Sequence, residues 1–213
     1  MDKQANKRKY NITDQGIWDS IFSEVPEAWT RTAPSESMRD CLDHFKEHRV
    51  QTVLDLGCGI GIWALFLSKA GVKVTGFDFS QKAIDFAQDW AKKEGQEVVF
   101  SCAPLTDHPF QNQSFDGILA AKILDNISSE ELNIVKQQIN AQLNPNGILY
   151  ALFNPYMAQD QLAILKKSDN PTKGITSINF KDRELEQLFP EYHLLQFKRY
   201  EHGFRGLVWQ KNH

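Results

Sequence analysis

The stretch VLDLGCGIGIWALFLSKAGVKVTGFD, running from Val53 to Asp78, decides the fold of this chain. Val53 to Leu56 is a short aliphatic run broken only by Asp55, which suits a strand buried on both faces of a parallel sheet. Gly57, Gly59 and Gly61 follow at alternate positions. Glycine tolerates positive φ and lets a ligand approach where a Cβ would collide, so the strand opens into a turn with room for something bulky. Ile62, Leu65, Phe66 and Lys69/Ala70 then recur with helical period, and Gly71 ends the helix as a C-terminal cap. Val72 to Phe77 reads as a second strand with Asp78 at its tip. The whole is a βαβ unit with a glycine-rich first turn and an acid on the neighbouring strand.

In a right-handed βαβ unit both features emerge at the carboxyl edge of the sheet. A carboxylate there can accept both hydroxyl hydrogens of a ribose, so a nucleoside is the ligand this arrangement anticipates. A dinucleotide site asks for G-x-G-x-x-G, but the third glycine falls one residue early, at Gly61, with Ile62 where the motif needs glycine.

Asp55, Gly57, Gly59 and Gly61 instead resemble, position by position, the D-x-G-x-G-x-G motif of the class I S-adenosylmethionine-dependent methyltransferases. The resemblance continues through Asp78, through Ser114 to Leu119 as the fourth strand, and through Leu143-Asn144-Pro145-Asn146-Gly147 before the fifth. It covers roughly Val53 to Phe153. It implies an α/β fold with a doubly wound, seven-stranded, mostly parallel sheet, Rossmann-like, and an N-terminal helical extension. The cofactor it implies is S-adenosylmethionine. Its methionine part would lie over Asp55, Gly57, Cys58, Gly59 and Gly61, its ribose on Asp78, and its adenine near Phe79, Cys102 and Ala103, with Ala121 at the end of the fourth strand. Cys102 stands where the family often has an acid, so side-chain reading of the adenine amino group is not expected here. The N-P-P-Y of amino-directed methyltransferases is missing after the fourth strand. Asn154-Pro155-Tyr156 comes one strand later and reads as a turn beside the substrate opening.

Size and composition fit a soluble α/β chain. Its 213 residues are 41% apolar and 24% charged, with a formal charge of −3. No apolar run approaches a membrane span and no secretory leader is evident. Three cysteines without a C-x-x-C pair indicate free thiols and a cytoplasmic location. The only dense basic cluster is Lys7-Arg8-Lys9, so nucleic acid is not an expected partner.

Residues 1–49 read as a helical extension or lid and residues 50–213 as the cofactor-binding domain, the two forming one structural unit. The first helix carries Ile17, Trp18, Ile21 and Phe22. The second, capped by Ser35, presents Met38, Cys41, Leu42 and Phe45 on one face. Both are expected across the carboxyl edge, where Trp18, Trp29, Arg31 and, from the far loop, Tyr156 are candidates to face the substrate. His44-Phe45-Lys46-Glu47-His48 spells H-x-x-E-H, an inverted zinc-protease signature. It belongs to a different fold and lacks a later ligand, so a polar helix end is the plainer account and no metal is expected.

Further along, Ser80 caps a helix bearing Ala83, Ile84, Ala87 and Ala91, and Ser128 with Glu131 opens another as a capping box. Met157 to Lys167 looks helical and Ser168 to Phe180 a loop. The last strands close around Glu201-His202-Gly203.

The activity expected is methyl transfer to a small molecule, in a monomer or homodimer. Asp125, His108 and His202 are the candidates for a base, on expected position alone. A nucleotide-dependent oxidoreductase and a non-catalytic S-adenosylmethionine-binding protein are the alternatives.

Overall fold

A computed structural model describes residues 15–23, 30, 33–157 and 178–213. Of the segments read from sequence, residues 1–11, Trp29, Arg31, all but Met157 of the helix expected over Met157 to Lys167 and most of the Ser168 to Phe180 loop lie outside the described residues.

Seven strands form one sheet in the order β3-β2-β1-β4-β5-β7-β6. They span Thr52–Leu56 (β1), Lys73–Asp78 (β2), Val99–Cys102 (β3), Phe115–Ala121 (β4), Leu143–Phe153 (β5), Tyr192–Arg199 (β6) and Arg205–Lys211 (β7). β1 to β5 run parallel, and β7 enters antiparallel between β5 and β6. The seven-stranded, mostly parallel expectation is met.

β1 and β4 are central, and nearly every residue in them is buried, because helices cover both faces. One face holds α2 (Glu36–Glu47), α3 (Ile62–Lys69) and α4 (Gln81–Lys93), packed through Cys41, Phe45, Leu65 and Ala87. The other holds α5 (Ser129–Gln142) and α6 (Asp182–Glu186), packed through Leu132, Val135 and Leu185. α1 (Gln15–Phe22) lies apart from both layers, with its contacts on α4.

Local chemistry sets the helix starts. Ser35, Ser80 and Ser128 each accept from the backbone N–H three residues on, and Glu131 completes the box at Ser128. The turn expected before the fifth strand is paired differently. Leu143 already pairs with Phe115, and residues 144–147 bulge out before pairing resumes at Ile148 with Gly117.

The placement of α2 corrects the expectation that both N-terminal helices cross the carboxyl edge. α2 packs on the sheet face, because its apolar stripe of Met38, Cys41, Leu42 and Phe45 is buried in that layer. The Tyr150 hydroxyl donates to Ser37 O at 3.0 Å and lies 2.7 Å from the Tyr200 hydroxyl, and Tyr200 in turn bonds Asp40. Gln196 and Lys198 reach the same carboxylate, so β6 is tied to α2 across the layer. Of the two N-terminal helices described, α1 is the one that reaches the edge where the glycine loop opens.

Candidate active site at the carboxyl edge

The glycine loop has the conformation its composition requires. Gly57 and Gly59 have φ of 63° and 53°, and Gly61, at 82°, is the N-cap of α3. At Gly57 an added Cβ would stand 2.8 Å from Ile123 Cδ1, so any side chain there is excluded by space as well as by backbone. The loop is tied to β2 through Cys58 N–H to Phe77 O at 3.0 Å. The Cys58 side chain is buried against Gly76, so only its backbone faces the edge.

Asp78 holds this loop in place. One carboxylate oxygen accepts from Gly59 N–H at 3.0 Å and the other from Ser80 N–H at 2.9 Å. Burial pushes its pKa up, and those backbone donors oppose the rise. Asp55 lies deeper, 1% exposed, with Oδ2 unpartnered. Burial, with the Asp78 charge nearby, holds it well above the ordinary carboxylate range.

The next strand tips carry the expected adenine-side residues. Phe79 is half-buried, Cys102 is exposed with Sγ 3.4 Å from Phe79 O, and Ala103 is buried. Ala103 N–H already donates to Asp78 O at 2.9 Å. A purine here would therefore meet Ala103 through its methyl or its carbonyl rather than through its amide.

α1 closes over this edge. Asp19 accepts from the Ser80 hydroxyl and, at 3.4 Å, from Lys82 N–H. Trp18 sets its edge toward Phe79 with centroids 6.5 Å apart, and Phe22 would be 3.5 Å from a Cβ on Gly59.

The three base candidates separate. His108 is 4% exposed and stacks on Phe77 at 4.2 Å between centroids, and burial lowers its pKa. That is a core side chain, and the expectation that it serves the reaction is withdrawn. Asp125 is 1% exposed; Oδ2 accepts from Asn154 N–H at 2.7 Å and Oδ1 has no partner. Burial raises its pKa, against the lowering effect of those amide donors and of Arg205. It braces the tips of β4 and β5. His202 is exposed in the 201–203 turn with φ of 59°, near Glu201 at 3.9 Å. That turn joins β6 to β7 at the same edge and packs on Pro155. Tyr156, beyond β5, is 45% exposed.

Ala121 ends β4, half-buried. The residue after it, Lys122, was missed by the sequence reading. It has φ of 57°, uncommon for a side chain of that size, its N–H is bonded to Leu152 O at 2.7 Å, and its ammonium lies 5.7 Å from the Phe204 ring centroid. The residue is exposed overall, yet partial desolvation of its ammonium lowers its pKa, and Asp125 opposes that. Asp19 and Phe22 were legible only as part of the α1 pattern, with nothing local to say what they touch.

Comparisons with known proteins agree with this architecture. Residues 53–147 match the model of a methyltransferase domain. The chain is 34% identical over 104 residues to a ubiquinone biosynthesis O-methyltransferase from Actinobacillus pleuropneumoniae serotype 7, covering 46% of this chain and 43% of that protein. The chain thus spans less than half the length of that curated relative. Among solved structures, PH0226 from Pyrococcus horikoshii OT3 superposes with a TM-score of 0.69 at 21% identity, covering 83% of this chain and 89% of that one. Magnesium protoporphyrin IX methyltransferase from Synechocystis PCC 6803, with bound SAH, gives 0.68 at 15% identity, covering 92% and 93%. No helix among the described residues is long and apolar enough to cross a membrane.

Proposed function

We propose that this chain, whose residues 53–147 match the model of a methyltransferase domain, is a class I S-adenosylmethionine-dependent methyltransferase that transfers a methyl group from S-adenosylmethionine to an oxygen of a small-molecule acceptor. The observation that carries this reading is the clasp between Asp78 and the glycine loop. A carboxylate offers about four lone-pair positions, and the backbone takes one on each oxygen, which leaves one each for the ribose hydroxyls. Phe79 with Trp18 suits the purine.

When bound, S-adenosylmethionine supplies an electrophilic methyl on a sulfonium, with a good leaving group already in place. What this chain adds is alignment and exclusion of water, effects that together can lower a barrier by ~7 to 11 kcal/mol. α1, latched by Asp19 on Ser80, serves as the lid that keeps water out. The acceptor enters beside Lys122, Tyr156 and Phe204. Lys122 Nζ stabilises the acceptor oxygen as an anion, so a phenolic hydroxyl can give up its proton without a dedicated carboxylate base. In this reading His202, exposed in the 201–203 turn, passes that proton to solvent. The match to an enzyme named as an O-methyltransferase favours oxygen over nitrogen. The partners proposed are small molecules alone, with the chain acting as monomer or homodimer.

A nucleotide-dependent oxidoreductase is less favoured, because Ile62 opens α3 where a pyrophosphate site needs glycine. Calorimetry with S-adenosylmethionine, S-adenosylhomocysteine and NAD separates the two, the first pair binding and NAD failing to bind. Release of S-adenosylhomocysteine in the presence of phenolic acceptors then distinguishes an enzyme from a binding protein. Tight NAD binding with none of S-adenosylmethionine would overturn the proposal.

A further inference from the structure

Among the described residues, one group of side chains that could hold a metal ion lies outside the site described above. His44, Glu47 and His48 share a face at the C-terminal end of α2, and one ligand-capable atom from each lies within 4.8 Å of the other two. The two imidazoles are stacked with centroids 6.4 Å apart and 30° between planes, as spacing of four residues on a helix brings about.

The surroundings favour a cation. His48 Nδ1 lies 3.0 Å from the carbonyl oxygen of His44. A carbonyl can only accept, so Nδ1 carries the hydrogen and Nε2 keeps its lone pair for a ligand bond. The same hydrogen bond orients the ring, as outer-sphere partners do for metal-bound imidazoles. In His44, Nδ1 is buried without a hydrogen-bond partner. Glu47 is exposed and makes no ion pair among the described residues. The backbone beneath is fixed: Arg49 N–H donates to Lys46 O at 3.1 Å and Val50 N–H to Phe45 O at 2.8 Å, closing the helix with Arg49 at φ of 56°. The negative end of the helix dipole adds to the attraction, while Lys46 and Arg49 oppose it.

We infer that the end of α2 is a zinc-class metal site held by His44, Glu47 and His48, with a fourth position open to water. Two imidazoles and a carboxylate suit zinc and not magnesium or calcium, which ask for oxygen donors. Tetrahedral bonds of about 2.0 to 2.1 Å place donors roughly 3.4 Å apart, so the three side chains draw closer together when the metal binds. From here the chain passes through Val50 and Gln51 into the start of β1, the edge opposite Gly57 and Asp78. The metal therefore pins the end of α2 and stands away from the reacting groups. This inference does not rest on the methyl-transfer reading.

The test is equilibrium dialysis of the full chain against zinc chloride after chelator treatment. One saturable zinc per chain is expected, with magnesium chloride giving none. His48→Ala should lose affinity on the order of tenfold or more, and Glu47→Gln by a smaller factor. Because Glu47 is exposed, the second variant keeps the fold in any case, and metal-free circular dichroism checks both. Cobalt(II) should give the visible absorption of a four-coordinate site in the wild type and lose it in His48→Ala. Zinc uptake of unchanged affinity and stoichiometry in both variants, or no saturable uptake by the wild type, would overturn the inference.

Discussion

Asp78 Oδ2 and Gly59 N–H meet at 3.0 Å, joining the tip of β2 to the middle of the glycine loop. The acid proposed to bind ribose is therefore also the group that shapes the loop on which the methionine part would rest. Asp78→Ala should weaken S-adenosylmethionine binding by ~1.5 kcal/mol or more, about tenfold, through loss of charge-assisted hydrogen bonds. Calorimetry reads this directly, and unchanged affinity would refute the ribose assignment.

Gly57 offers a sharper steric test. Its φ of 63° and the 2.8 Å approach of Ile123 Cδ1 make two separate costs. Gly57→Ala should destabilise the chain by about 1 to 3 kcal/mol from the left-handed backbone alone. Adding Ile123→Ala should recover the steric part and leave the backbone part, as a pair of denaturant titrations would resolve. Full recovery in the double variant would show that the backbone conformation carries no strain.

The lid is testable at Asp19. With Asp19→Ala the Ser80 hydroxyl keeps its cap on Ala83 N–H but loses its link to α1. Amide exchange across residues 15–23 should quicken, and S-adenosylmethionine affinity should fall by about 1 kcal/mol, roughly fivefold. Exchange that stays slow in the variant would mean that Trp18 and Phe22 hold the helix by themselves.

Asp40 supplies a pH signature. Burial would raise its pKa, but hydrogen bonds from Tyr200, Lys198 and Gln196 outweigh it and hold the carboxyl below its ordinary 3.8. A depressed folded-state pKa stabilises the protein above the unfolded value, and that contribution is lost as pH falls through the folded one. Asp40→Asn should cost about 1.5 to 3 kcal/mol at neutral pH. The gap to wild type should narrow only below about pH 4, where the unfolded carboxyl begins to bind protons. A gap independent of pH down to acid unfolding would contradict this.

Much of the fold was legible because its signals are local. The caps at Ser35, Ser80 and Ser128 act over three residues, and the βαβ pattern from Val53 to Asp78 needs only strand burial and helical period. His108 was misread for the opposite reason. A histidine in a loop carries no local sign of whether it faces solvent or, as here, the ring of Phe77. α2 was expected across the carboxyl edge and lies on a sheet face instead, because an amphipathic stripe says that a face is buried and not against what.

The amino-acid sequence by itself determined the βαβ unit, the glycine loop, the acid at the second strand tip and the parallel sheet, since each follows from neighbours in the chain. Only tertiary structure decided that α1 lies over Gly59, that Lys122 turns toward Phe204, and that Asp40 meets Tyr200. These pairs lie 37 to 160 residues apart. Their contacts arise only once the sheet has ordered its strands, because packing and not local propensity brings them together.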